Sequence, residues 1–170
     1  MKSILDYFNN INTNITVISN NKNINIYTDG ACSNNGKKTA KAGIGIYIEN
    51  IYNISERLIG LQTNQRAELC AILKSLQLIN IEEYKTINIY SDSQYSINCV
   101  TKWIHVWLKN NWYDKKKNKV KNRDLIEPIY NIISKYNHIH FKHILAHTNK
   151  KDVHSIGNSI ADNLARQSLL

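Results

Sequence analysis

The chain lacks the features that would place it in a membrane, a secretory route or a disulfide framework. Although 42% of its 170 residues are hydrophobic, no apolar run reaches the roughly 18 residues that mark a membrane-spanning helix. The amino-terminal stretch MKSILDYFNN turns polar too early for a signal peptide. Cysteine is scarce, and Cys32, Cys70 and Cys99 are odd in number, far apart and free of CxxC or Cys/His spacing. That pattern argues against a disulfide frame or a zinc site, and for reduced thiols in an intracellular compartment, cytoplasmic or nuclear. Acid is in deficit as well: 13 Asp and Glu against 22 Lys and Arg leave a net charge of +9. A surplus of this sign favours a polyanionic partner, because Lys and Arg release counterions when they meet phosphates.

What is present fits one domain, since a chain of about 150 residues can bury close to 70% of its unfolded surface in a single core. Residues 1–22 are Asn-rich with scattered Ile and read as a tail, and residues 23–170 form the domain proper. Ile24, Ile26 and Thr28 alternate with Asn25, Tyr27 and Asp29, the period of a strand, which Gly30 is expected to end. Two β-rich segments follow, Gly43 to Glu49 and Tyr52 to Ile59, in the manner of an antiparallel meander. Leu69, Ile72, Leu73, Leu76 and Ile79 then carry helical spacing, with Thr63 or Asn64 available as N-cap. A strand over Thr86 to Tyr90 leads to a helix near Ser93, capped by Ser91 or Asp92. Thr101 to Trp112 is helical in pattern, Tyr113 to Lys121 an exposed Lys-rich loop, and Asp124 to Tyr136 a helix with Pro128 in its first turns. A strand over His138 to Leu145 and a final helix bearing Ile156, Ile160, Asp162 and Leu164 complete an α/β domain with helices on a mixed sheet.

Four acids stand at informative places: Asp29 at the end of the first strand, Glu68 early in a helix, Asp92 just after the fourth strand, and Asp162 on the last helix. Any one of them alone is ordinarily a cap or a dipole partner. If the strands of Asp29 and Asp92 are neighbours, about 4.8 Å apart, and end on the same edge, however, the two carboxylates lie side by side and repel. Such a cluster is kept where a hard cation such as Mg²⁺ binds it, because that ion takes oxygen ligands and leaves room for phosphate and water. Phosphodiester cleavage suits the arrangement, with two cations about 4 Å apart serving an attacking water and a leaving oxygen.

Five ordered strings carry a resemblance that spans roughly Asn23 to Leu169: YTDGACSNNG from Tyr27, AGIGIYI from Ala42, TNQRAEL from Thr63, YSDSQY from Tyr90 and GNSIADNLA from Gly157. They resemble the type 1 ribonuclease H family. The resemblance implies a ribonuclease H-like fold, a five-stranded mixed sheet flanked by helices. It also implies an endonuclease that hydrolyses the RNA strand of RNA/DNA hybrids with Mg²⁺, Mn²⁺ being the substitute, leaving 5′-phosphate and 3′-hydroxyl ends. Asp29, Glu68, Asp92 and Asp162 match its acidic metal ligands. Asn35, Asn64, Gln65 and Gln94 match positions that touch the RNA strand where 2′-hydroxyls are displayed, and Thr63 and Asn122 match positions that hold a DNA phosphate. Leu61 stands where some eukaryotic members have an arginine, which would weaken that phosphate pocket.

Trp103, Trp107 and Trp112, followed by Lys115, Lys116, Lys117, Lys119 and Lys121, resemble the basic protrusion with which cellular members grip the DNA strand. Trp103 is also a candidate for ordinary core packing. The family's auxiliary catalytic histidine lies between the last strand and the last helix. His147 fits it by its place at the strand exit, though the loop to Asp162 is about five residues longer than usual, and His154 is the competing assignment. His105, His138, His140 and His143 read as structural or surface residues. Ile4, Tyr7 and Phe8 have the spacing of a sliding-clamp-binding peptide, apt for an enzyme that removes RNA during DNA replication, but Met1 replaces the usual Gln. The family likeness implies a monomer, and the ends of the chain read as those of a free-standing enzyme. Two rivals are a non-catalytic hybrid-binding module, which would not need four spaced acids, and an integrase-like enzyme of the same architecture, which TNQRAEL and the basic handle argue against.

Overall fold

A computed structural model describes residues 22–146 and 151–170. Ile4, Tyr7, Phe8 and His147 lie outside the described residues. Five strands form one sheet: β1 (Lys22–Ser33), β2 (Lys41–Ile48), β3 (Tyr52–Arg57), β4 (Tyr84–Ser91) and β5 (Ile139–His143), in the spatial order β3-β2-β1-β4-β5. β1, β2 and β3 make an antiparallel meander, while β4 and β5 run parallel to β1 and β4 respectively. This is the mixed, helix-flanked sheet that the sequence implies.

The helices are α1 (Asn64–Leu78), α2 (Gln94–Asn98), α3 (Ile104–Lys109), α4 (Arg123–Ile133) and α5 (Val153–Gln167). α2 and α3 are joined through a π-helical turn, Cys99–Trp103. Ile24, Ile26 and Thr28 of β1 and Ala42, Ile44, Ile46 and Ile48 of β2 are all buried on the sheet face that α1 covers. The buried stripe of α1, from Ala67 through Leu76, closes this core. The opposite face, with Tyr27 and Asp29, lies under α5. β1 is covered on both faces, so every residue from Ile26 to Gly30 is buried although its sequence alternates.

Two glycines set the spacing of these layers. A Cβ on Gly45 would run into the backbone of Ala161 and Ala165, so α5 lies directly against β2. Gly30 does not end β1 as the sequence suggests, because the strand continues paired with β2 as far as Ser33. Its missing side chain instead admits α1, for a Cβ there would meet the amide of Glu68 and come within 2.7 Å of the Ala67 carbonyl carbon. What stops near this point is the other partnership, since β1 and β4 separate after Thr28 and Ser91.

The helix expected to reach Trp112 ends at Lys109. Asn111 and Trp112 take left-handed backbone (φ 50° and 64°), and the Trp112 amide donates to the Trp107 carbonyl at 2.7 Å. That sharp reversal turns the Trp112 ring inward, where it is only 7% exposed.

Candidate metal and nucleic-acid site

The divergence of β1 and β4 beyond Thr28 and Ser91 leaves room between their ends, and Asp29 and Asp92 are the next residues on each. Glu68 enters from α1, brought close by Gly30. One carboxylate oxygen from each of Asp29, Glu68 and Asp92 lies within 4.8 Å of the others. Asp29 and Glu68 are buried, 6% and 4% exposed, and Asp92 is half-buried.

Burial and mutual repulsion act in the same direction here. The pKa of Asp29 is raised to about 7, first by loss of hydration and then by the charges of Asp92 and Asp162, against the Gly30 amide, which opposes the shift. Glu68 is pushed well above the usual carboxylate range, first by burial and then by Asp29 and Asp92. Its Oε2 has no hydrogen-bond partner among the described residues. An uncompensated buried oxygen among three acids is costly unless a cation takes it up.

Asp162 comes close enough from α5 to raise the pKa of Asp29, yet it stands outside the tight trio and forms an ion pair with Arg166 one turn on, with Nε to Oδ1 at 2.8 Å. Asn158, also on α5, points its Nδ2 at Asp92 Oδ2 (3.5 Å), and its buried Oδ1 has no partner. His143 steadies the other side of Asp92 through a bond from Nε2 to the Asp92 carbonyl at 3.1 Å.

A second cluster lies at the start of α1. Thr63 is the N-cap and accepts from the Arg66 amide through Oγ1 (3.3 Å). Arg66, buried, donates from Nη1 and Nη2 to the two oxygens of Asp124 on α4 (2.9 and 2.6 Å) and from Nη1 to Asn122 Oδ1 (3.3 Å). Arg66 therefore touches both residues matched to a phosphate site, Thr63 through its backbone amide and Asn122 through its guanidinium. Asn122 itself is held in left-handed backbone (φ 59°), a conformation that asparagine tolerates better than most residues. Asn35, Gln65 and Gln94 are exposed and Asn64 half-buried, with the Asn64 amide donating to Asn35 Oδ1 at 3.4 Å. Asn35, Asn64 and Gln65 lie at the α1 amino terminus, and Gln94 opens α2.

The basic handle divides by burial. Trp103 is 39% exposed and Trp107 half-buried, in an edge-to-face pair at 5.9 Å, so this pair presents ring surface. Trp112 is instead a packing anchor, with the Arg123 guanidinium 4.7 Å over its ring. Lys115, Lys116, Lys117 and Lys119 are exposed on a turn built by Asp114, whose Oδ1 accepts from the amides of Lys116 and Asn118, both at 2.8 Å. His154 sits on a tyrosine platform: its ring stacks on Tyr90 at 4.3 Å and its Nδ1 is hydrogen-bonded to the Tyr27 hydroxyl at 3.0 Å.

Arg66 and Asn158 escaped the reading of the sequence. Arg66 had a visible signal: it stands three residues before Leu69 on the apolar stripe of α1, where a charge needs a buried partner. Asn158 had none beyond its place one turn before Asp162.

The family model for RNase H matches residues 21–169. The chain belongs to the type 1 ribonuclease H family. It is 37% identical over 145 residues to Ribonuclease H1 of Mus musculus, covering 84% of this chain and 48% of that protein. It is 38% identical over 151 residues to Ribonuclease H of Orientia tsutsugamushi, covering 87% of this chain and 83% of that one. The chain thus spans about half the length of the mammalian relative and most of the bacterial one. Among solved structures, the PFV RNase H domain is similar with a TM-score of 0.69 and 26% identity, over 86% of this chain and 93% of that domain.

Proposed function

We propose that this ribonuclease H hydrolyses the RNA strand of RNA/DNA hybrids, with Asp29, Glu68, Asp92 and Asp162 holding two Mg²⁺ ions, for which Mn²⁺ can substitute, and leaves 5′-phosphate and 3′-hydroxyl ends. The observation that carries the reading is the convergence of Asp29, Glu68 and Asp92 within 4.8 Å. The fit to a cation is chemical: the donor set is all oxygen, one buried oxygen lacks any partner, and two of the acids are pushed toward neutrality. Bound there, a divalent cation supplies charge neutralisation and Lewis-acid polarisation at a phosphate.

The chain's own residues do the rest. Glu68 and Asp29 are fixed by the contact of α1 with Gly30, so they need no rearrangement to act together. Thr63 and Asn122, locked by Arg66, offer polar groups to a phosphate of the uncut strand. Asn35, Asn64, Gln65 and Gln94 supply donors and acceptors suited to 2′-hydroxyls, which separates RNA from DNA without reading bases. Trp103, Trp107 and the Lys115 to Lys119 turn add a stacking surface and charge for the DNA strand. His147 serves as the auxiliary proton carrier, because the competing residue, His154, already has its ring nitrogens directed at two tyrosine hydroxyls.

The test is cleavage of a labelled RNA/DNA hybrid, duplex DNA and single-stranded RNA by wild type and Asp29→Asn, with Mg²⁺ or with chelator. Cutting confined to the RNA of the hybrid, and lost with Asp29→Asn or chelator, is expected. Equal cutting of duplex DNA, or full activity of Asp29→Asn, overturns the reading.

A further inference from the structure

A cavity of about 760 Å³ lies apart from the acid trio, between the outer strand β5, the α2–α3 helix and α4. Its volume falls in the range of about 300–1,000 Å³ typical of ligand sites. Ile97 and Val100 are buried in its lining, Tyr130 and Phe141 offer partly exposed rings, and exposed Lys102 and Lys142 carry positive charge. His105, His140 and His143 add ring donors, and none of the described residues lining the cavity is acidic. The π-helical turn contributes three successive residues to it, Val100, Thr101 and Lys102, and such turns frequently mark functional sites.

One end of the cavity lies beside the backbone of Asp92. His143 lines it and donates to the Asp92 carbonyl, and Gln94, two residues beyond Asp92, lines it as well. The near end of the groove is thus lined by a residue bonded to the Asp92 backbone and by one two positions beyond Asp92. A strand leaving the centre along it would find cations for its phosphates, rings and apolar side chains for its bases, and the Thr101, Ser134 and Gln94 side chains for its sugar hydroxyls.

We infer that this groove binds single-stranded RNA running on from the hybrid, so that the enzyme engages junctions between hybrid and single strand more tightly than blunt hybrid. The identity of the strand rests on the proposed function, because the strand seated at the acids is the one that continues. An acidic protein segment would suit the charge, but not the rings and hydroxyl-matching groups that open onto the acid centre.

The experiment compares wild type with Lys102→Ala/Lys142→Ala on three labelled substrates of equal hybrid length: blunt, with a single-stranded RNA extension at either end, and with a DNA extension. Cleavage kinetics are measured alongside direct binding by fluorescence anisotropy in chelator. An RNA extension is expected to lower the wild-type KM and Kd about threefold or more, and the double variant to lose that gain while cutting blunt hybrid as wild type does. At about 0.7 per phosphate neutralised on a single strand, the variant's salt slope for the extended substrate should fall by about 1.4. Equal affinity of wild type for blunt and extended substrates overturns the inference, as does an equal loss by the variant on all three. The same gain from a DNA extension overturns the assignment to RNA. Should no hybrid be cut at all, the proposed function fails, while anisotropy still reads the groove.

Discussion

Replacing Asp29 with Asn should make the cation-free protein more stable, not less. The carboxyl of Asp29 is raised from 3.8 to about 7, chiefly by burial and then by the charges of Asp92 and Asp162. The folded state therefore binds its proton more tightly than the unfolded chain does. Its contribution to stability is fully present below the unfolded pKa near 3.8 and is lost as pH rises to about 7, after which the loss is constant. Three pKa units at 1.36 kcal/mol each set a ceiling of about 4 kcal/mol for the cost of keeping this residue ionised. Asn keeps the size and removes the charge, and it relieves Glu68 of a repelling neighbour. Relaxation and water access reduce the gain, so a stabilisation of ~2 kcal/mol is expected at pH 8 in chelator, or about 4–8 °C in melting temperature for a chain of this size. Mg²⁺ should reverse the order: wild type gains stability with ligand concentration, by about 2.7 kcal/mol at a hundredfold excess over Kd, while Asp29→Asn gains little. Urea or thermal melts of both proteins, in chelator and in Mg²⁺, at pH 5 and pH 8, decide it. A melting temperature for Asp29→Asn equal to or below wild type at pH 8 in chelator would refute the reasoning, as would a wild-type melt indifferent to Mg²⁺.

Gly30→Ala places a methyl group against the Glu68 amide and should cost at least about 2 kcal/mol in urea melts, with the Mg²⁺ concentration for half-maximal activity raised because Glu68 is displaced. Arg66→Ala should cost about 2–3 kcal/mol, below the 3–5 of a fully buried pair because the Asp124 carboxylate is half exposed; it should also raise KM more than it lowers kcat, and an unaltered KM counts against the Arg66 link to Asn122. His147→Ala should slow turnover more than tenfold with metal binding retained, whereas His154→Phe, which keeps the stack on Tyr90, should retain most of kcat; the reverse outcome exchanges the two roles. Neutralising Lys115, Lys116 and Lys117 together should raise KM, spare kcat and reduce the salt slope of hybrid binding by up to about 2.7, at 0.9 per phosphate contact; an unchanged slope removes these lysines from the interface.

The sequence discloses the elements whose cause is local. Alternation locates β1, helical spacing locates α1, and Thr63 is indeed its N-cap. The acids are visible as motif positions, but their convergence depends on the parallel register of β1 and β4 and on the approach of α1 over Gly30, neither of which any short window encodes. The same limit explains the misreading of Gly30. A glycine after an alternating run ordinarily signals a turn, yet here the backbone carries on pairing with β2 and the absent side chain serves a helix distant in sequence. Trp112 is a further case: three tryptophans near a run of lysines read alike, and only the left-handed turn at Asn111 and Trp112 sends the third inward.

α1 joins the two halves of the candidate site through a few residues at its amino terminus. Thr63 caps it, Arg66 locks Asn122 and Asp124 to it, and Glu68 reaches the acid trio from it. Five residues separate Thr63 from Glu68, a rise of about 7.5 Å along a helix, so the distance between a phosphate held at Thr63 and one held at the acids is set by a rigid element and not by a loop. On the proposed function, a substrate with both strands at the spacing of a hybrid duplex would engage both ends at once, and one with a different separation would give up one of them. Selection by shape then needs no base contact, which agrees with a rim built from amides and hydroxyls. On the same reading Arg66, which holds Asn122 and Asp124 to this helix, would align the two ends of the gauge, and removing it should loosen discrimination between hybrid and duplex DNA more than it weakens the acid centre itself.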